Sequence, residues 1–134
     1  MAIQLSTAVR NARLDTVEST PGTGVLLKIR TGAAPADCST ADSGTVLVSI
    51  TCPSDWMAAA SGGSKAKAGT WNNTAAAAGT AAHFRVYDSS GATCHIQGTV
   101  TATGGGGDLT VDNTSIASGQ SVTVTTFTLT DANA

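Results

Sequence analysis

The sequence predicts an all-β domain: an antiparallel β-sandwich, jelly-roll-like in its connections, with a short N-terminal helix or arm. Three observations carry that expectation. Apolar residues alternate in short runs bounded by Gly, Pro, Asp and Ser, as in Val25–Arg30, Ala82–Tyr87 and Ser121–Thr130. More than half of the chain is Ala, Gly, Ser or Thr, with threonine on the outer positions of those runs, as suits sheets with one wet face. With 134 residues there is room for one core, so the chain divides into an arm over 1–22 and a β-domain over 23–134.

The arm reads as a helix. Ser6 is placed to cap it, and Leu5, Val9, Ala12 and Val17 fall near one face, with Arg10, Arg13, Asp15 and Glu18 mostly elsewhere. Pro21-Gly22 ends it. About three turns of helix are marginal alone in water, so this stretch must pack on its own sheet or on a neighbouring molecule.

The first strand puts Val25, Leu27 and Ile29 on one face, with Lys28 and Arg30 on the other. Residues 31–44 are loop-forming, and Val46–Ile50 is β-branched between Gly44 and Pro53. Ser54–Ala60 suits one helical turn, and Ser64–Trp71 an extended stretch with Lys65, Lys67 and Trp71 on one side. Asn72–Gly79 reads as loop.

In 82–87, Phe84 and Val86 alternate with His83, Arg85 and Tyr87, and Asp88-Ser89-Ser90-Gly91 suits a type I turn. A three-residue hairpin loop with Gly91 left-handed would set Phe84 opposite Ile96 and Val86 opposite Cys94. Thr93–Thr103 then runs to Gly104–Gly107, which reads as a flexible hairpin tip before a short strand at Asp108–Asp112. In Ser121–Thr130, Val122 and Val124 occupy even positions but Phe127 and Leu129 odd ones. A bulge near Thr125-Thr126 would return all four to one face.

Composition excludes several classes of function. Charged residues are 12% of the chain and the net charge is -2, against about 25% charged in an average domain, so no basic stripe for nucleic acid is expected. No apolar run approaches the roughly 18 residues that span a membrane, and the opening Met1–Leu5 lacks the character of a secretory signal. Cys38, Cys52 and Cys94 are an odd set with no zinc spacing. Free thiols in a reducing cytosol are expected, with a Cys38–Cys52 bridge as the alternative.

No catalytic set stands out. Cys94 and His95 are neighbours on a strand and point to opposite faces. His83 and His95 do not face each other. Gly104–Gly107 lacks the Lys-Ser/Thr of a phosphate loop. Asp108, Asp112 and Asn113 match no calcium loop, and the sequons at Asn72 and Asn113 fit chance in so threonine-rich a chain. Glu18 is the only glutamate, so the paired acids of a glycosidase are missing as a signal. The expectation is a protein without enzymatic activity and without a cofactor or metal. Trp56 and Trp71 are read three ways: as core, as a protein contact, or as a sugar-stacking platform.

Read end to end, the chain resembles the small β-structured virion proteins of tailed bacteriophages encoded near the major capsid protein. The resemblance rests on Ala8–Asp15, on Ser54–Ala60 with Gly69-Thr70-Trp71, on His83–Asp88, on Cys94–Val100 and on Gly104–Asn113. It implies a capsid decoration (cement) protein that binds the outer surface of the shell, with the major capsid protein as partner and self-association into dimers or trimers. The location implied is the virion surface, after assembly in the bacterial cytoplasm. Contacts of roughly 800 Å² per partner, repeated over a lattice, would supply the avidity such a role needs. The candidate contact residues are Leu5, Val9, Arg10 and Arg13 from the helix, with Trp56, Met57, Lys65, Lys67 and Trp71 from the tryptophan segment. The alternatives are a low-copy collar, connector or tail component, and a carbohydrate-binding module of a phage fibre.

Overall fold

The computed structural model describes residues 3–133, so Met1 and Ala2 of the expected arm and Ala134 of the expected β-domain lie outside the described residues. Helix α1 (Thr7–Ser19) leads into β1 (Leu26–Arg30), β2 (Val46–Thr51), β3 (Ser64–Ala66), β4 (Asn72–Thr74) and β5 (Gly79–Thr80). β6 (His83–Tyr87), β7 (Cys94–Ala102), β8 (Leu109–Val111), β9 (Ser115–Ile116) and β10 (Ser121–Thr130) follow. The protein is therefore mostly β with one short helix, as its sequence patterning predicts.

The strands join in the order β2-β1-β6-β7-β8-β10-β3; β4 also pairs with β10, and β5 and β9 form a separate two-stranded ladder. One edge of β10 is lined by β8; along the other, β4 and β3 lie end to end and pair antiparallel with it. The large sheet curls until β4 approaches β2. There Asn73 Nδ2 donates to Ser49 O (2.7 Å), and the amides of Ala76 and Ala77 donate to Leu47 O (2.8 and 3.4 Å). The result is a half-barrel whose ends meet through loop and side-chain bonds instead of a continuous ladder.

The purely antiparallel expectation fails at one pair. β7 and β8 run parallel, with Val100 beside Leu109 and Ala102 beside Val111. A parallel return usually needs a dozen or more connecting residues. Here the glycine run does it in a few, because Gly104 and Gly106 take positive φ (85° and 82°) and the chain packs back on Thr101. A Cβ on Gly105 or Gly107 would meet Thr101 atoms at 2.8 or 2.9 Å, so this segment returns tightly past Thr101 between parallel strands and is not a hairpin tip. Gly107 N–H donates to Thr101 Oγ1 (3.0 Å) and Thr99 N–H to Asp108 Oδ2 (2.9 Å), which closes the loop.

Two register expectations meet different outcomes. The β10 bulge lies where side-chain parity requires it, between Val124 and Thr126, and Val122, Val124 and Phe127 are all buried. The β6–β7 hairpin is longer than expected. Gly91 is left-handed (φ 73°), but Val86 faces Ile96, Phe84 faces Gly98 and Tyr87 faces Cys94 across a bulge. The parity of the apolar face survives, since the shift from the expected pairing is two residues. Gly98 leaves room for the Phe84 ring, which an added Cβ would meet at 2.9 Å.

The core is organised by a chain of aromatic rings. Trp71 stands 6.0 Å from Trp56 and 5.6 Å from Phe127, and Phe127 meets Phe84 edge-on at 5.6 Å. Both tryptophans are fully buried, with their indole N–H groups donating to Gly22 O (3.1 Å) and Ala68 O (3.0 Å). Ser54–Ala60 does not form the expected helical turn. It runs along the outer edge of β3 instead, with Ala58 N–H donating to Ala66 O (2.8 Å) and Ala68 N–H to Trp56 O (2.9 Å).

Candidate functional site

The helix starts where the sequence places its cap: Ser6 Oγ accepts from Val9 N–H (3.2 Å). Its inward face differs from the expected apolar stripe. Leu14 is its buried hydrophobic residue and Val17 is half-buried, but Val9 and Ala12 of that stripe are exposed, and the bonds to the β body come from the polar row Asn11, Asp15 and Glu18, spaced one turn apart. Asn11 Oδ1 accepts from Gly63 N–H (2.9 Å), Asp15 Oδ1 from Ala60 N–H (3.3 Å) and Glu18 Oε1 from Met57 N–H (3.3 Å). The row satisfies the free edge of the 57–63 segment, which no further strand covers.

Lys65 completes this clamp. Its side chain is 2% exposed, and Nζ lies 2.8 Å from both Asp15 Oδ1 and Glu18 Oε2. Burial alone would lower the lysine pKa, but the hydrogen bonds that Nζ donates to the two carboxylates, with their charges, outweigh it and raise the value, while the Lys65 bond lowers that of Asp15. Arg10 Nη1 donates to Asp131 O (3.1 Å), Arg13 pairs with Asp131 (3.2 Å), and Leu5 N–H donates to Asn133 Oδ1 (2.8 Å). The arm is thus docked on the β body and tied to the end of β10, not held away from it by the Pro21-Gly22 break. Asn11→Ala should cost about 1–2 kcal/mol in urea unfolding, because it orphans a partly buried amide. A change within error of zero would mean that water replaces the bond.

The candidate contact residues therefore separate. Trp56, Met57 and Trp71 lie in the core and Lys65 lies beneath the helix, so none of these four offers side-chain surface to a partner. Lys67 is half-buried, donates to Gly69 O (2.9 Å), and lies 5.8 Å from the Trp71 ring centroid. Val9 and Arg13 are exposed, while Leu5 and Arg10 are half-buried. Ile3, absent from the sequence-based candidates, is 82% exposed and joins Val9 (46%) as the exposed large hydrophobic residues among the described residues.

A second polar assembly is legible only in three dimensions. Every residue of β6 is buried, although the alternation of His83, Arg85 and Tyr87 reads as a wet face. The long 31–45 loop covers that face, and side chains of the sheet bind its backbone. His83 Nδ1–H donates to Gly32 O (2.7 Å) and Gln97 Nε2 to Pro35 O (2.7 Å). Arg85 donates to Cys38 O (2.8 Å), Thr40 O (3.0 Å) and Asp42 Oδ1 (2.6 Å), and its Nε donates to Cys94 Sγ (3.2 Å).

Asp42 is the hub of this lid. Arg30 Nη2 lies 2.8 Å from its second oxygen, and Tyr87 Oη donates to the first at 2.5 Å. Burial raises the Asp42 pKa, but the Tyr87 hydrogen bond and the charges of Arg30 and Arg85 outweigh it and the net shift is downward. Burial, aided by the carboxylate, pushes the Tyr87 phenol up to about 12. A cleft of about 250 Å³ remains beside the hub, lined by Cys38, Asp42, Arg85, Tyr87 and Cys94 among others. Cys52 lies apart in the core, where burial raises its thiol to about 12.

Among the described residues, no three His, Cys, Asp or Glu side chains cluster closely enough to hold a metal ion, and no helix is long and apolar enough to cross a membrane. No protein-family model, no curated protein and no solved structure matches the chain.

Proposed function

We propose that this chain is a structural virion protein of a tailed bacteriophage that binds the outer surface of the capsid and braces it, acting without catalysis. The major capsid protein is its partner, self-association into dimers or trimers accompanies binding, and the virion surface is its location. The observation that carries the reading is the clamped helix. Its polar row bonds to the β body, while Ile3, just before the helix, and Val9, in its first turn, are the exposed large hydrophobics among the described residues. An exposed apolar end on a docked helix suits docking against a repeated protein lattice, where modest contacts multiply into avidity. The sequence resemblance to decoration proteins supplies the identity of that lattice.

The carbohydrate-module alternative loses its platform, since both tryptophans are core residues. The low-copy collar, connector or tail alternative is separated by counting. Quantitative mass spectrometry of purified virions should give a copy number comparable with that of the major capsid protein. A handful of copies per particle would overturn the decoration reading in favour of a vertex, collar or tail part.

A further inference from the structure

The lid and the strand beneath it bring together two cysteines that are 56 positions apart in sequence and that no expected pairing joined. Cys38 belongs to the 31–45 loop and Cys94 opens β7, and both line the cleft beside Asp42. One guanidinium bridges them: Arg85 Nη2 donates to the Cys38 carbonyl (2.8 Å) and Arg85 Nε to Cys94 Sγ (3.2 Å). The Cys38 carbonyl and the Cys94 sulfur are thus held by one and the same side chain, with Cys94 Sγ also donating to Ile96 O (3.4 Å). Both residues are half-exposed, so a small oxidant can reach them, whereas Cys52 is buried in the core. All three thiols are free, as expected, and the alternative Cys38–Cys52 bridge is not formed.

We propose that Cys38 and Cys94 form a thiol pair that closes reversibly into an intrachain disulfide and locks the 31–45 lid onto β7. The co-reactant is a small-molecule disulfide such as oxidised glutathione. The thiolate of one cysteine attacks a glutathione sulfur, breaking its S–S bond and releasing one glutathione thiolate, to give a mixed disulfide. The thiolate of the other cysteine then attacks the protein sulfur of that mixed disulfide and releases the second glutathione. The protein loses two electrons and two protons; the two glutathione molecules gain them.

Arg85 has a positioning role here. Its hydrogen bonds hold the Cys38 backbone and the Cys94 sulfur on one side of the sheet; burial raises the Cys38 thiol pKa, and the Arg85 charge acts against that rise. The disulfide would span a long stretch of chain, which restricts the unfolded ensemble and makes the oxidised form the more stable one.

The test uses the full-length wild-type chain equilibrated in glutathione buffers from fully reducing to fully oxidising. Free thiols are then trapped with maleimide, and the samples are analysed by intact mass and non-reducing peptide mapping. The expected result is the mass of a single chain with one intrachain-linked peptide pair containing Cys38 and Cys94. Its Cys52 should react only after denaturation, and its melting temperature should rise by roughly 5 °C or more on oxidation. Cys52→Ser should leave the bridge intact. Three trapped thiols in every buffer, a bridge that includes Cys52, or disulfide-linked dimers would each overturn the proposal. None of these outcomes depends on the capsid reading, so the two stand or fall separately.

Discussion

Replacing Trp71 with alanine is expected to remove about 3–5 kcal/mol of unfolding free energy, the largest loss of any single side-chain truncation in the core. Trp71 is fully buried and is the middle member of the ring series, touching Trp56 on one side and Phe127 on the other. Truncation leaves a cavity between two rings, and the Lys67 amine loses the aromatic face 5.8 Å from it. A domain of this size typically has about 5–15 kcal/mol in total, so the variant should be close to the folding threshold. Urea unfolding followed by tryptophan fluorescence reads the change, with Phe127→Leu as a milder comparison in the same cluster. A loss below about 1 kcal/mol for Trp71→Ala would contradict its place in the core.

The second large effect concerns the lid. Asp42→Ala leaves Arg85, 1% exposed, and Arg30, 7% exposed, without their shared counter-charge. Breaking a fully buried pair costs about 3–5 kcal/mol, but Asp42 is itself 40% exposed, and solvent screening brings the expected loss to roughly 2–3 kcal/mol. The backbone carbonyls of Cys38 and Thr40 still hold Arg85, so the fold should survive while the 31–45 loop becomes the first site of proteolytic cleavage. Uncleaved loop in limited proteolysis, together with unchanged stability, would rule out the hub.

The same carboxylate gives a pH dependence with a definite sign. The folded-state pKa of Asp42 is depressed below the ordinary aspartate value of 3.8. Its contribution is therefore complete above that value and is lost as pH falls through the lower folded-state value, where the native carboxylate finally takes a proton. Wild-type stability should fall steeply below about pH 4, and Asp42→Ala should show a shallower fall over the same window. Equal slopes for the two proteins would assign the acid sensitivity to other carboxylates.

Periodicity was informative wherever burial is one-sided and the neighbours are close in sequence. The helix cap at Ser6, the ten residues of β10 and its bulge all follow from local patterns, because a side chain on the wrong face of a strand costs the burial of the whole run. The short strands β4, β5 and β9 left no such trace. Two or three residues, all exposed in β4, carry too little alternation to register. The candidate contacts divided for a related reason: Lys65 in an alternating run looks the same whether water or a pair of carboxylates receives its amine.

Local patterning was enough to set the β-rich class, the capped helix, the faces of the long strands and the parity that places the β10 bulge. All of these depend on contacts whose pattern repeats within a few residues. Tertiary structure alone decided three further matters: the parallel return of β8, the docking of α1 by its polar row, and the coverage of His83, Arg85 and Tyr87 by the loop. A glycine run permits a sharp return without dictating its direction. Polar side chains do not record which distant backbone will satisfy them. The pairing of Cys38 with Cys94 follows from that same long-range coverage, since the lid must fold over β6 before the two thiols can meet.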